Sequence, residues 1–393
     1  MKKLLMASAA TALMAGAASA DDVKLGVILG FTGPIESLTP HMAGGAEMAM
    51  AEVTASGKFM GGASVTSVRA DSTCVDAAAA TAAAERLITA EGVKGIMGSD
   101  CSGVTGAILA NVAVPNGMVM ISPSATSPGL TDAEDNGLFF RTAPSDARQS
   151  AVMADILMEQ GTKSVAVTYT NNDYGKGLAD SFKAAYEAAG GEVTIVAAHE
   201  DGKADYTAEV GALASAGGDS LVVAGYVDQG GAGIVRGALD TGAFDMFHFP
   251  DGMIGSNLET NFGAEIEGST GQLPGSDSPG AATFAELVGD KFDASSPYTG
   301  ESYDAAALLM LAMQAAGSAE PADYVSKIEM VANAPGEMIY PGELAKALEI
   351  LAGGGDIDYV GATAVELING GEASGSYRHV KFADGKMMTV GYR

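Results

Sequence analysis

Residues 95–128 read GIMGSDCSGVTGAILANVAVPNGMVMISPSATSP, and the fold follows from how this stretch is parsed. One apolar run ends at Gly98 and a second at Ile121. Each stops at a loop of small, hydroxyl-bearing residues, and the segment between them has helical spacing. In an open α/β sheet, neighbouring strands deliver their carboxyl-end loops to one crevice, where hydroxyls and free N–H groups attract an anion such as a carboxylate. Ser102, ahead of Gly103, Val104 and Thr105, and Ser124 with Thr126 are the candidate contacts. The same residues also suit helix capping, the commoner role of Ser and Thr after a strand.

Working outward, strand patterns at 23–30, 63–71 and 93–98 alternate with helical patterns at 42–56 and, capped by Asp76, over an Ala-rich segment to about Gly92. That rhythm predicts a parallel sheet with helices on both faces. It restarts after Phe140-Arg141-Thr142-Ala143-Pro144, with helices expected over 147–160, 174–189, 206–215 and 231–239 and strands over 164–170, 192–198, 220–227 and 246–249. Two similar α/β halves in tandem are the simplest account. The Gly/Ser/Pro-rich stretch 272–280 reads as a crossing between them, because helical patterns follow at 282–291, 302–316 and 321–331. Residues 338–352 carry one more helical pattern, and 376–382 with 386–392 form an expected hairpin around Ala383-Asp384-Gly385.

The chain opens with Lys2-Lys3, an apolar run to Ala18 and the small residues Ala18-Ser19-Ala20, the pattern of a secretory leader cleaved after Ala20. The run is too short for a membrane anchor, and no other segment offers about 18 unbroken apolar residues. A freely soluble exported protein, not inserted in the membrane after cleavage, is expected. The formal net charge is −28, and loss of Lys2 and Lys3 takes it to −30. Such a chain repels phosphate backbones, which argues against nucleic acid as a partner. Its length suits two domains.

Cys74 and Cys101 are the only cysteines. Export permits a disulfide, which would pin the loop at Ser102, and two buried thiols are the alternative. The four histidines are scattered singly, so neither a metal site nor thiol catalysis is expected, and no GxSxG or HExxH pattern occurs. Thr131 to Asn136 matches no calcium-ligand spacing and reads as a solvated turn. Gly231-Ala232-Gly233 with Gly237 opens a helix, but its spacing departs from the dinucleotide fingerprint, so no cofactor is expected. What remains is a binding constellation. The second half places Tyr174, Tyr226 and Asp251 at strand ends, so hydroxyls on one side and an acid on the other could hold a zwitterion between aromatic walls.

Taken together, Gly30-Phe31-Thr32-Gly33-Pro34, the cysteines in DSTCVD and GSDCSG, ISPSATSPGLT at 121–131, FRTAPSDARQ at 140–149, NNDYGKGLA at 171–179 and Gly225-Tyr226 form a specific set. From about Val23 to the C-terminus the chain resembles the type I periplasmic solute-binding proteins of ABC importers, in the branched-chain amino acid (leucine/isoleucine/valine-binding) family. The resemblance implies two Rossmann-like lobes with a cleft and three crossovers near 143–145, 272–276 and 372–376. Lobe 1 would comprise 21–143 plus 275–373, and lobe 2 144–274 plus 374–393. It also implies a Cys74–Cys101 disulfide, and a ligand carboxylate held by Ser102, Thr126 and the backbone near Ser124. Tyr226 and Asp251 would take the ammonium, Tyr174 would line lobe 2, and Leu38 and Tyr298 would border the side-chain pocket. Asp251 stands where leucine-binding members carry Glu. Asp100 replaces an apolar residue and Asp228 follows Tyr226, so a ligand with a second polar or cationic group would be accommodated if either acid faces the cleft. The implied activity is non-enzymatic: capture of a small amino acid or related amphoteric ligand in the periplasm and delivery to an ABC transporter permease. The alternative is a sensing domain of the same fold for amides, urea or aromatic acids.

Overall fold

The computed structural model describes residues 22–393, so the expected leader and its cleavage site lie outside the described residues. Strand β1 (Val23–Leu29) pairs in parallel with β2 (Val65–Asp71) and with β3 (Ile96–Gly98), which continues to β4 (Met120–Ser122) and β5 (Phe139–Arg141). The order β2-β1-β3-β4-β5 makes an all-parallel five-stranded sheet. Its central strands are short apolar runs buried on both faces, as a sheet covered by helices on two sides demands.

The helix Thr39–Ser56 covers one face, starting beside Pro40 and ending at Gly57, whose φ of +63° is the left-handed cap that glycine supplies. Against it lies Thr299–Ala316, buried continuously from Glu301 to Met313, because a helix apolar around its circumference needs cover on every side. Gly45 makes this approach possible: a Cβ there would stand 2.3 Å from the Thr299 carbonyl oxygen. Asp76 caps the helix Ala77–Arg86 by accepting from the N–H groups of Ala78 and Ala79, as expected from the sequence.

The second sheet has seven strands. β6 (Ser164–Thr170), β7 (Glu192–His199), β8 (Ser220–Ala224), β9 (Phe247–Phe249) and β10 (Thr270–Pro274) are parallel. Two minor pairs follow, β11 (Glu337–Ile339) with β12 (Ile357–Tyr359) and β13 (Leu367–Ile368) with β14 (Glu372–Ala373). The hairpin β15 (Tyr377–Ala383) and β16 (Lys386–Tyr392) then adds antiparallel to β10, giving the order β16-β15-β10-β9-β8-β6-β7. The chain passes between the two sheets at 142–145, 275–278 and 374–376. These passages bond to one another: Pro144 bridges Ala373, the Gly275 N–H donates to the Ser376 carbonyl at 3.0 Å, and the Ser376 hydroxyl returns to the Gly275 carbonyl at 2.8 Å.

Some expectations differ from what is observed. Residues 270–274, the last three of which read as part of a crossing, are a strand, and the crossing begins only after Pro274. The helical pattern over 338–352 is a strand, a turn and a helix (Leu344–Ala352), because Pro341-Gly342 interrupts it with a φ of +86° at Gly342. The pattern over 321–331 splits into Pro321–Tyr324, a tight turn and Ile328–Ala332. Gly231 and Gly233 open a helix in which a Cβ would stand 2.2 Å from Met253 Sδ and 2.3 Å from the Tyr206 ring respectively, so close packing accounts for both glycines. Among the described residues no helix is long and apolar enough to cross a membrane, and no group of three or more His, Cys, Asp or Glu gathers for a metal.

Candidate functional site

The carboxyl-end loops of β3 and β4 are held by a buried network. Asp100 accepts from Gly30 N (2.6 Å), Ser72 Oγ (3.0 Å), Ser99 Oγ (3.0 Å) and Cys101 N (2.9 Å), so one carboxylate ties together the ends of three strands. Burial raises its pKa, and these four bonds to the ionised form oppose that shift. Cys74 and Cys101 form a disulfide across the same loops. Ser122 Oγ donates to the Ser99 carbonyl (2.5 Å) and accepts from Ala125 N (2.9 Å), while Ser102 Oγ accepts from Ser127 N (3.1 Å) and Ser124 Oγ donates to the Asp100 carbonyl (3.1 Å). The β4 loop is further fixed by Arg141, fully buried, which donates to the carbonyls of Ala125 (3.1 Å) and Ser127 (3.0 Å), to Thr131 Oγ1 (2.7 Å) and to Glu372.

The other half contributes aromatic rings. Tyr174 and Tyr226 stack with centroids 5.2 Å apart and planes 17° apart. Tyr174 OH donates to Asp251 Oδ1 (2.8 Å), which also accepts from Gly252 N (2.8 Å), and Tyr226 OH accepts from Asn172 at 3.4 Å. Tyr298, at a φ of +63°, stands at the start of the long buried helix. Burial and the nearby carboxylates push all three phenols well above the usual tyrosine range, so they act as neutral hydrogen-bonding groups.

Between the halves these residues line a cavity of about 20 Å³, with Asp100, Ser102 and Ser124 from one side and Tyr174, Tyr226 and Gly252 from the other, bordered by Ile35 and Tyr298. The structure therefore gathers most of the sequence candidates around one space. Three stand off it. Leu38 packs towards Gly255 rather than onto the cavity. Asp251 sits one layer behind Tyr174, its carboxylate accepting from that phenol rather than lining the cavity. Thr126 is fully buried; Ser124, two positions before it, lines the cavity, while the Thr126 hydroxyl has no hydrogen-bond partner and faces Asp146.

Behind the wall lies an acid pair that sequence reading did not single out. Asp146 and Asp251 are both fully buried and each keeps one carboxyl oxygen without a hydrogen bond. Burial, then the charge of Asp251, raises the pKa of Asp146, and burial raises that of Asp251 against donors that include Tyr298 and Tyr174. Gln149 Nε2 donates to Asp146 Oδ1 at 3.2 Å. The signal was present in FRTAPSDARQ, which holds Arg141, Asp146 and Gln149. Asp228 does not face the cavity; its carboxylate accepts from Ser37 N (2.8 Å) of the opposite half and from Asn257 Nδ2 (2.6 Å).

Comparison with known proteins agrees with this arrangement of two sheets around a shared cavity. The family described as "Periplasmic binding protein" matches residues 22–340. The chain belongs to that family. It is similar to the Leu/Ile/Val-binding protein homolog 3 of Brucella melitensis, 30% identical over 336 residues that cover 83% of this chain and 89% of that protein. It is also similar to the leucine-, isoleucine-, valine-, threonine- and alanine-binding protein of Pseudomonas aeruginosa, 28% identical over 325 residues, 82% of this chain and 86% of that one. The crystal structure of a leucine-binding protein from Thermotoga maritima superposes with a TM-score of 0.79 at 24% identity, covering 94% of this chain and 98% of that chain. At that identity the match speaks for the fold, type I periplasmic-binding-protein architecture.

Proposed function

We propose that this family member is the periplasmic receptor of an ABC importer, and that it carries a small amino acid or related amphoteric ligand between two lobes without chemical change. The lobes are residues 21–143 plus 275–373 and 144–274 plus 374–393, joined by the three mutually bonded crossings. The reading rests on one observation: hydroxyls of one half and stacked tyrosines of the other bound the same cavity. A ligand touching both halves favours their closure, because only the closed arrangement makes both sets of contacts. Ser102 and Ser124 receive the carboxylate, with Thr126 behind them. Tyr226 and Tyr174 face the ammonium, with Asp251 behind Tyr174 orienting its hydroxyl. Relatives named for leucine, isoleucine and valine binding support an amino acid. Export through the leader and release after Ala20 belong to the same proposal.

Titration calorimetry across free amino acids tests it. Asp251→Ala is expected to weaken the best ligand by about 1.5–3 kcal/mol, because Tyr174 loses the charged acceptor that orients it towards the ammonium. Unchanged affinity would remove Asp251 from the site. A second reading is favoured by the set-back position of Asp251: a carboxylate that lacks an ammonium, such as an aromatic acid. It is the better one if deleting the ligand's amino group leaves affinity intact.

A further inference from the structure

Tyr298 has a second face. Besides closing the cleft cavity it lines a larger concavity of about 550 Å³, a size typical of small-molecule sites. This groove runs along the end of β10 and the crossing at 275–278, between Phe284 and Phe292 of one half and Arg378 and Tyr392 of the terminal hairpin. Two of its polar side chains, Glu301 and Arg378, are incompletely bonded. Glu301 is 4% exposed, and its carboxyl has no hydrogen-bond partner on any other described residue. Arg378, half-buried, forms no ion pair among the described residues. It donates from Nη2 to the Ser295 carbonyl (3.0 Å), while its Nε is buried without an acceptor. A guanidinium offers five N–H donors, and leaving a buried one unmet is unfavourable.

The surrounding anions do not supply what Arg378 lacks. Asp293 accepts from Ser295 N and Oγ, and Asp304, one turn beyond Glu301, is committed to Tyr359, Ala362 and Thr363. Asp277 and the Tyr392 phenol complete the ionisable groups of the lining. Burial pushes Glu301 up to about 8, so near neutral pH it is a neutral carboxylic acid able to donate. The groove thus presents one permanent positive charge beside the carboxyl groups of Asp277 and Asp293, surplus donors and aromatic walls.

We propose that this groove is a second ligand site, taking a small carboxylate on an apolar body, with the carboxylate against Arg378 and Glu301 and the body against Phe284, Phe292 and Tyr298. It stands independently of the cleft reading, since apart from Tyr298 the argument uses none of the cleft contacts. Because its walls come from both halves, its occupancy is linked to their relative position.

The test uses 3-phenylpropanoate, with 3-phenylpropan-1-amine and 3-phenylpropanamide as comparisons, in calorimetry and saturation-transfer NMR on the intact exported chain. Ser124→Trp fills the cleft cavity; Ala282→Trp fills the groove from an exposed position that disturbs no core. The acid is expected to bind wild type and Ser124→Trp alike, and to bind Arg378→Met and Ala282→Trp about tenfold or more weakly. Affinity is expected to fall as pH rises through about 8, and Glu301→Gln to flatten that profile while still binding. The proposal is overturned if the acid binds neither site, if Ser124→Trp alone abolishes binding, or if the amine binds as well as the acid.

Discussion

Removing the carboxylate of Asp228 tests how the halves are held together. Asp228 Oδ2 accepts the Ser37 N–H at 2.8 Å across the cleft mouth, and its own N–H donates to the Pro34 carbonyl at 3.1 Å. On the far side of the cleft Ser127 Oγ donates to the Asp173 carbonyl at 3.1 Å, where Gly177 leaves room because a Cβ would stand 2.9 Å from that hydroxyl. Asp228→Ala deletes one charged-acceptor bond between the halves and spares the Pro34 contact. Such a bond contributes about 1.5–3 kcal/mol, and partial exposure places this one at the lower end. A loss of about 1.4 kcal/mol lowers the closed-to-open ratio tenfold. Spin labels on Glu85→Cys and Ala184→Cys, both exposed and on opposite halves, report it by electron double resonance. The distance distribution should shift towards the open population in Asp228→Ala, with ligand dissociation faster by a similar factor and the melting temperature nearly unchanged. Identical distributions in wild type and variant would show that the Ser37 bond does not govern closure.

Three further outcomes follow from buried groups. Reducing Cys74–Cys101, which closes 27 residues, should destabilise the protein by roughly 3–4 kcal/mol, read as a lower denaturation midpoint with two thiols appearing by mass spectrometry. Glu372→Ala should cost about 3–5 kcal/mol, because Arg141 is then a buried cation without its carboxylate; a denaturant midpoint within error of wild type would contradict the pairing. Burial lowers His199 to about 4 and His248 to about 3. Between those values and the usual 6.5 the unfolded chain binds protons that the folded chain does not, so stability should fall as pH drops through this window. The slope is up to about 1.4 kcal/mol per pH unit for each histidine. The double variant His199→Gln, His248→Gln should lose that slope.

Local pattern and chemistry already carried the alternation of strands and helices, the hairpin at the C-terminus, the Asp76 cap and the roster of polar residues at strand ends. Each depends on spacing of 2 or 3.6 residues, or on a side chain acting within a few positions of itself. Where the local signal was mixed, reading failed for a visible reason: Pro341-Gly342 cut a helical pattern, and Pro274 disguised the end of a strand. Depth and partnership were a different matter. Nothing in the chain order says that Asp251 falls behind Tyr174, that Asp100 is consumed by four donors, that Asp228 reaches Ser37 across 191 positions, or that Glu301 and Arg378 share a groove. These are decided when two sheets meet, because burial and the distance between side chains remote in sequence exist only in the packed molecule.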